Sequence, residues 1–401
     1  MVLSVFFGFG IMLLTFIQKL PQASQAGLDK FLGSVVAASC SLIGAFLVLR
    51  RMSLMSDAIS HAILFGIVIM FFFTESTASL PMIIAATLTG VLTVTLVEVL
   101  FRTRLVKEDT AIDLVFPALF SIGVILISRY AANVHLDTDA VLLGELAFAP
   151  FDRLIAWGAD LGPRALWLAG AVGLVNLLFI LLFYKELKLA TFDAGLAAAL
   201  GFSPAAIHYA LMTLVSVTAG SSFEAVGSVL VVGLMITPPA AAYLLTERLP
   251  VMLALSVAVG IISAVSGYFL ARLLDASIAG SMATMTGVVF TLVLFLAPER
   301  GLIARWALRQ RQRWQFAGEM LLVHLSQHAG APNEAAECSL DHLGRHMKWG
   351  AAYSERVVAH VTRRGLVQRK SGARLSLTAQ GREVAREVML RSVDGRGGFP
   401  G

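Results

Sequence analysis

The stretch LRRMSLMSDAISHAIL, residues 49–64, sets Asp57 and His61 four residues apart. On a helix that spacing puts both side chains on one face. A carboxylate oxygen and an imidazole nitrogen make a ligand set suited to manganese, zinc or ferrous iron. Two protein ligands are too few to trap such an ion, which suits a conduit that must release it. A plainer account stays open: Asp57 caps the helix that starts there, and His61 bonds inside a bundle. Ser53, Ser56 and Ser60 on the same stretch favour the ligand account, because ionisable groups at the mouth of an apolar span are costly.

Four further groups could carry chemistry. Glu224 opens SSFEAVGSVLVVGLMITPPAAAYLL, residues 221–245, at the outer mouth of a span containing Gly227, Gly233, Pro238 and Pro239. It reads either as a ligand or gate beside a pathway, or as part of a kinked packing helix. KLATFDAGLAAALGFSP, residues 188–204, is a short alanine-rich helix outside the membrane, with Phe192, Asp193, Ala197 and Gly201 along it. It is a surface a cytoplasmic motor could grip, or an ordinary connector. His135, Asp137, Asp139 and Glu145 lie in one long loop, where an acidic funnel would concentrate cations; polar loops are common without that role. His324/His328 and His342/His346 are two i,i+4 pairs, but spacing supplies no third ligand, and they read as surface or half-buried histidines. No phosphate-binding loop, nucleophile elbow or zincin motif occurs, so the chain is not expected to be an enzyme, and any ATP must be hydrolysed by a partner.

The elements that position these residues are mostly membrane spans. Of 401 residues, 57% are hydrophobic and 14% charged, with a mean hydropathy of +0.80; an ordinary soluble protein carries about 25% charged residues. Apolar runs of the required length, about 17–25 residues, fall near 2–17, 31–49, 57–73, 80–100, 112–129, 165–183, 205–220, 225–246, 251–272 and 279–297. The first is read as a retained span rather than a cleaved leader. Arg50, Arg51, Arg102, Arg104, Lys107, Lys185, Lys188 and Arg248 gather on one side, which the positive-inside rule assigns to the cytoplasm. Both termini then face the cytoplasm, and the loop near 130–164 faces out. The fold class expected is an all-α polytopic bundle with a small C-terminal α+β domain.

Charge divides the chain. Residues 1–298 carry 14 Lys and Arg against 17 Asp and Glu, whereas residues 299–401 carry 17 against 9. The expected domains are a transmembrane domain at 1–298, a basic linker at 299–314, a winged-helix domain at 315–392 and a disordered tail at 393–401. Three amphipathic helices, a hairpin around Ser371–Gly372 and a final helix give the winged-helix pattern. Arg363, Arg364, Arg369, Lys370 and Arg374 could reach the phosphates of DNA. Cys40 and Cys338 differ too much in environment to suggest a disulfide.

RRMSLMSDAISHA, TFDAGLAAALG and VGSVLVVGLMITPPAAAYLLT occur in this order over residues 28–298, and together they resemble the membrane permeases of manganese, zinc and iron ABC importers. The resemblance implies a bundle similar to the cobalamin-importer permease, in a bacterial cytoplasmic membrane, paired with a second permease chain as a homo- or heterodimer. It implies a cytoplasmic ABC ATPase docked on the TFDAGLAAALG helix, and an extracytoplasmic protein that delivers the metal. Asp57 and His61 match the family's metal-pathway pair, and Glu224 sits where an acidic residue often occurs. No permanent cofactor is implied; Mn2+, Zn2+ or Fe2+ is cargo. The tail resembles the DNA-binding part of a diphtheria-toxin-repressor-type regulator without its metal-binding and dimerisation region. It fits a docking or regulatory module at least as well as a DNA-binding one. Two other functions compete: a membrane-anchored metal-responsive transcriptional regulator, and a gradient-driven cation carrier.

Overall fold

The computed structural model describes residues 25–74, 79–130, 146, 149, 151–156, 159–332, 334–370 and 374–393. The chain forms two compact units, Met1–Gly301 and Leu302–Gly401.

Among the described residues the first unit holds nine helical segments long and apolar enough to cross a membrane. They are α1 (Gln25–Leu49), α2 (Ser53–Thr74), α3 (Ser79–Arg102), α4 (Glu108–Tyr130), α5 (Arg164–Leu182), the two halves of α8 (Pro204–Leu245), α9 (Leu249–Leu274) and α10 (Ile278–Leu296). The expected span near 2–17 lies outside the described residues, as do the histidine and acidic residues 135, 137, 139 and 145. The described part of the long loop holds an antiparallel hairpin, β1 (Arg153–Ala156) and β2 (Ala159–Pro163), which the sequence reading did not anticipate. Between α5 and α8 lie the short helices α6 (Tyr184–Phe192) and α7 (Ala194–Ala199).

Lipid is as apolar as a helix's own leucines, so burial of oil does not drive these helices together; small and polar residues do. The α1 helix runs through the centre, nearly every side chain buried, packed by α5, α8 and α9. Its serines bond backbones of its neighbours: Ser39 Oγ donates to the Ala169 carbonyl at 3.2 Å and Ser41 Oγ to the Leu234 carbonyl at 3.2 Å. Asn176 Nδ2 donates to Thr218 Oγ1 at 2.8 Å, joining α5 to α8. Large apolar side chains such as Leu88, Ile125, Leu174 and Phe269 point outward, as a lipid-facing surface requires.

Helix α8 doubles back on itself. Gly227 has φ 75° and ψ 163°, a conformation nearly confined to glycine. Ser222 lies 4.0 Å from Cys40, and Leu234 bonds the next residue of α1, Ser41. In an unbroken helix, residues 222 and 234 would sit about 18 Å apart along the axis. Both flank one level of α1 instead, so 204–245 is a hairpin of two spans reversing at Gly227.

The basic end is knit by side chains from several loops. Arg50 Nε donates to Thr191 Oγ1 at 3.2 Å, Arg300 pairs with Glu247 at 2.6 Å, and Tyr209 donates to Glu98. These contacts gather the ends of α1, α3 and α6, and of α8 with the exit after α10, as the Lys/Arg pattern requires.

In the second unit, α11 (Leu302–His328), α12 (Glu334–Glu337), α13 (Leu340–His346) and α14 (Ala351–Arg363) precede a hairpin of β3 (Val367–Lys370) and β4 (Arg374–Leu377), then α15 (Ala379–Val393). The hairpin pairs Val367 with Leu377 and Lys370 with Arg374. Leu321 and Leu325 of α11, Leu343, Val357, Val361 and Val367 build its core. Residues 302–314, expected as a linker, are the first half of α11. Arginine, leucine, alanine and glutamine are strong helix formers, and nothing in 302–314 breaks the run. Residues 394–401 of the expected tail lie outside the described residues.

Candidate functional site

Asp57 and His61 stand on α2, with His61 Nε2 3.4 Å from Asp57 Oδ1. The rings of Phe116 and Phe120, one turn apart on α4, lie 6.0 and 6.1 Å from the His61 ring. They wall the imidazole on one side and restrict its rotation. The other side stays open, since the His61 and Asp57 side chains keep 27% and 41% of their surface accessible. Next to the pair, Ser60 Oγ is fully buried and has no hydrogen-bond partner among the described residues. Leaving a hydroxyl unpaired costs about 1–3 kcal/mol, and here it leaves an uncommitted oxygen one residue from His61.

Ser56 Oγ lies 3.1 Å from Met235 Sδ, and Ile59 packs at Gly90 with Ser216, so the first turns of α2 are held against α8 and α3. Asp57 and His61 stand four and eight residues past Ser53, about 6 and 12 Å along α2. Gly66, thirteen residues past Ser53, packs on Thr89, thirteen residues before Arg102, so α2 begins level with the end of α3. The pair therefore sits within the bundle toward the basic end of its span, where its place in the sequence puts it.

The geometry fits one ion held between two ligands. At metal–ligand lengths of about 2.1 Å, donors 3.4 Å apart subtend about 110°, close to the tetrahedral angle. The accessible side of the pair is open to water or to groups from elsewhere. The Glu224 backbone lies just before the reversal of α8, two residues past Ser222, which meets Cys40 of α1; its side chain lies outside the described residues.

The short helices form a separate surface. Asp193 caps α7, its Oδ1 accepting from the Leu196 amide at 2.8 Å. Gly201 at φ +87° closes it, with Phe202 N–H bonding the Ala197 carbonyl and Gly201 N–H the Ala198 carbonyl, both at 3.0 Å, a Schellman stop. Ala197 is fully buried, so it seats the helix instead of offering a contact. Phe192, Leu196, Leu200 and Phe202 are the exposed edge, and sequence reasoning passed over the last three because it followed the small residues. Asp193→Ala should cost about 1 kcal/mol, confined to α7; hydrogen–deuterium exchange would report it as faster exchange at Leu196 with the spans unchanged.

In the second unit Arg363, Arg364, Arg369, Lys370 and Arg374 are all exposed, at the end of α14 and along the hairpin. Cys40 and Cys338 are free and buried.

A polytopic bundle of apolar helices, with an ionisable Asp–His pair within it, has the architecture of a membrane permease. Residues 31–297 match the model of the ABC 3 transport family, and the chain belongs to that family. It is the membrane-spanning subunit of an ABC transporter, with ATP hydrolysis on a separate subunit. The chain is 48% identical over 361 residues to the zinc transport system membrane protein TroD of Treponema pallidum, covering 90% of this chain and 97% of that protein. That match is longer than the first unit, so the relative shares part of the second. The manganese transport system membrane protein MntD of Bacillus subtilis is 48% identical over 273 residues, covering 68% of this chain and 92% of MntD. Among solved structures, PsaBC from Streptococcus pneumoniae in complex with Fab superposes with a TM-score of 0.59 at 29% identity, covering 71% of this chain and 96% of the other.

Proposed function

We propose that this chain is the permease subunit of an ATP-driven importer for divalent transition metals, namely manganese, zinc or ferrous iron. The observation that carries the reading is the Asp57–His61 pair, whose donors are set 3.4 Å apart within an apolar span on a face left open. Relatives named for zinc and manganese transport support the cargo class. Asp57 and His61 hold the ion transiently, Ser60 offers a further oxygen, and Glu224 stands near the outer mouth. The open face takes a second permease chain, which closes the pathway. The edge of Phe192, Leu196, Leu200 and Phe202 docks a cytoplasmic ATPase, and a metal-binding protein outside the bacterial inner membrane delivers the ion. The second unit is a winged-helix domain on the cytoplasmic side, acting as a regulatory or docking module.

Reconstituted with its ATPase and delivery protein, the chain should accumulate Mn2+ or Zn2+ in vesicles only when ATP is supplied on the side of Arg50 and Arg248. Accumulation driven by a cation gradient without any ATPase would overturn the reading in favour of a carrier.

A further inference from the structure

The histidine pairs of the second unit face each other. His324 and His328 leave α11 toward α13, from which His342 and His346 come, and Glu337 of α12 stands between. Ligand atoms of His324, His328 and Glu337 all lie within 4.8 Å of one another. His342 Nε2 is 2.6 Å from Glu337 Oε2, yet it is buried without a well-aligned hydrogen bond. The ring of His346 is 5.1 Å from that of His324 and 5.5 Å from that of His342, and the His324–His328 rings are 4.6 Å apart. Imidazoles sharing one tetrahedral ion at about 2.0–2.1 Å hold their ring centres about 5 Å apart, a spacing close to that of these three pairs, while His324 and His342 stand at 6.4 Å and need a small shift.

The buried member is also prepared as a ligand. His324 Nε2 lies 3.3 Å from the Glu337 carbonyl oxygen. A carbonyl only accepts, so Nε2 carries the proton and Nδ1 of the neutral ring keeps its lone pair. Metal-binding histidines are commonly oriented by such a bond from their second nitrogen.

We propose that His324, His328, His342 and Glu337, with His346 at the rim, bind one divalent transition-metal ion, Zn2+ foremost. Nitrogen-rich ligation with one carboxylate selects that class over Mg2+ or Ca2+. A bound ion ties α11 to α12 and α13, three helices that otherwise meet through a small core. Joined to the transport function proposed above, on which this clause alone rests, the site lets the second unit read the ion that the first unit carries.

The test uses the full-length chain in detergent with Asp57→Ala/His61→Ala, so that binding at the membrane pair does not contribute. Metal analysis after exchange against a weak chelator should find one Zn2+ per chain, and Co2+ should show the intense ligand-field bands of four- or five-coordination. Adding Glu337→Gln, or His328→Ala with His342→Ala, should weaken Zn2+ at least about 100-fold, beyond the ~10–100-fold that even an outer-shell change costs, and should erase the Co2+ bands. All three positions are partly exposed, and circular dichroism at equal helix content separates ligand loss from unfolding. His346→Ala, at an exposed position, should lower affinity by a smaller factor with the fold intact. Equal Zn2+ retention with and without these substitutions, or a pale six-coordinate Co2+ spectrum, would overturn the site. Because binding is read directly, a failed transport assay leaves this result standing.

Discussion

The double substitution Asp57→Ala/His61→Ala is expected to reduce ATP-dependent metal uptake to background while leaving the amount of chain in the membrane unchanged. On the proposed reading the pair holds the ion within the bundle, where water cannot replace a lost ligand at low cost. Moving even a singly charged ion into a medium of low dielectric costs on the order of 20 kcal/mol in the ideal limit, and a divalent ion costs more. The carboxylate offsets this by charge and the imidazole by donation, so each single alanine should already slow uptake at least about 100-fold, above the range for outer-shell changes. Since both donors serve one ion, their effects should not add. The double variant should be little worse than the more severe single. Additive, mild losses would mean that the two side chains play separate structural parts. Uptake at the wild-type rate would remove the pair from the pathway altogether. Neither side chain fills the core, given the exposure of both, so stability should change little. Asp57→Asn, which keeps shape and removes charge, should fall between wild type and alanine.

The second large effect is on stability. Gly44→Ala should severely destabilise the membrane unit, because a Cβ there would sit 1.8 Å from the Met235 carbonyl oxygen and 2.7 Å from its carbon. The obstacle is backbone, which cannot rotate away. Helices α1 and α8 would have to separate, losing the Ser41–Leu234 hydrogen bond and the Ser56–Met235 contact that set the height of the pair. Overpacking of this kind costs about 1–3 kcal/mol and sometimes more. Gly170→Ala is the matching control: no atom lies within 4 Å of its added methyl, and replacing a helix-interior glycine should gain about 0.5–1 kcal/mol. Thermal unfolding in detergent should therefore move in opposite directions for the two variants. A Gly44→Ala chain as stable as wild type would contradict the close crossing of α1 and α8.

Much of this architecture is legible in the chain. Apolar runs of span length mark the helices, since lipid demands a local property, a stretch without charge. The Asp57–His61 pair is legible for the same reason: four residues along one helix fix a distance without any tertiary contact. Asp193 and Gly201 announce the ends of a short helix by their own conformational preferences. The order of helices and hairpin in the second unit follows from periodicity alone. Charge alone did not show that most of the basic linker, from Leu302 on, is helical and continuous with α11.

What the chain alone determined is thus what neighbours in sequence can enforce: helix, cap, turn and the facing of residues one turn apart. Tertiary structure decided convergence. It walled His61 with Phe116 and Phe120 of another helix, folded residues 204–245 back at Gly227, and buried Ala197. It also turned His324, His328 and His342, read from the sequence as surface or half-buried histidines, toward one carboxylate, Glu337. Such facts rest on contacts between residues tens to hundreds of positions apart, where close packing of backbones, and no local preference, chooses who meets whom.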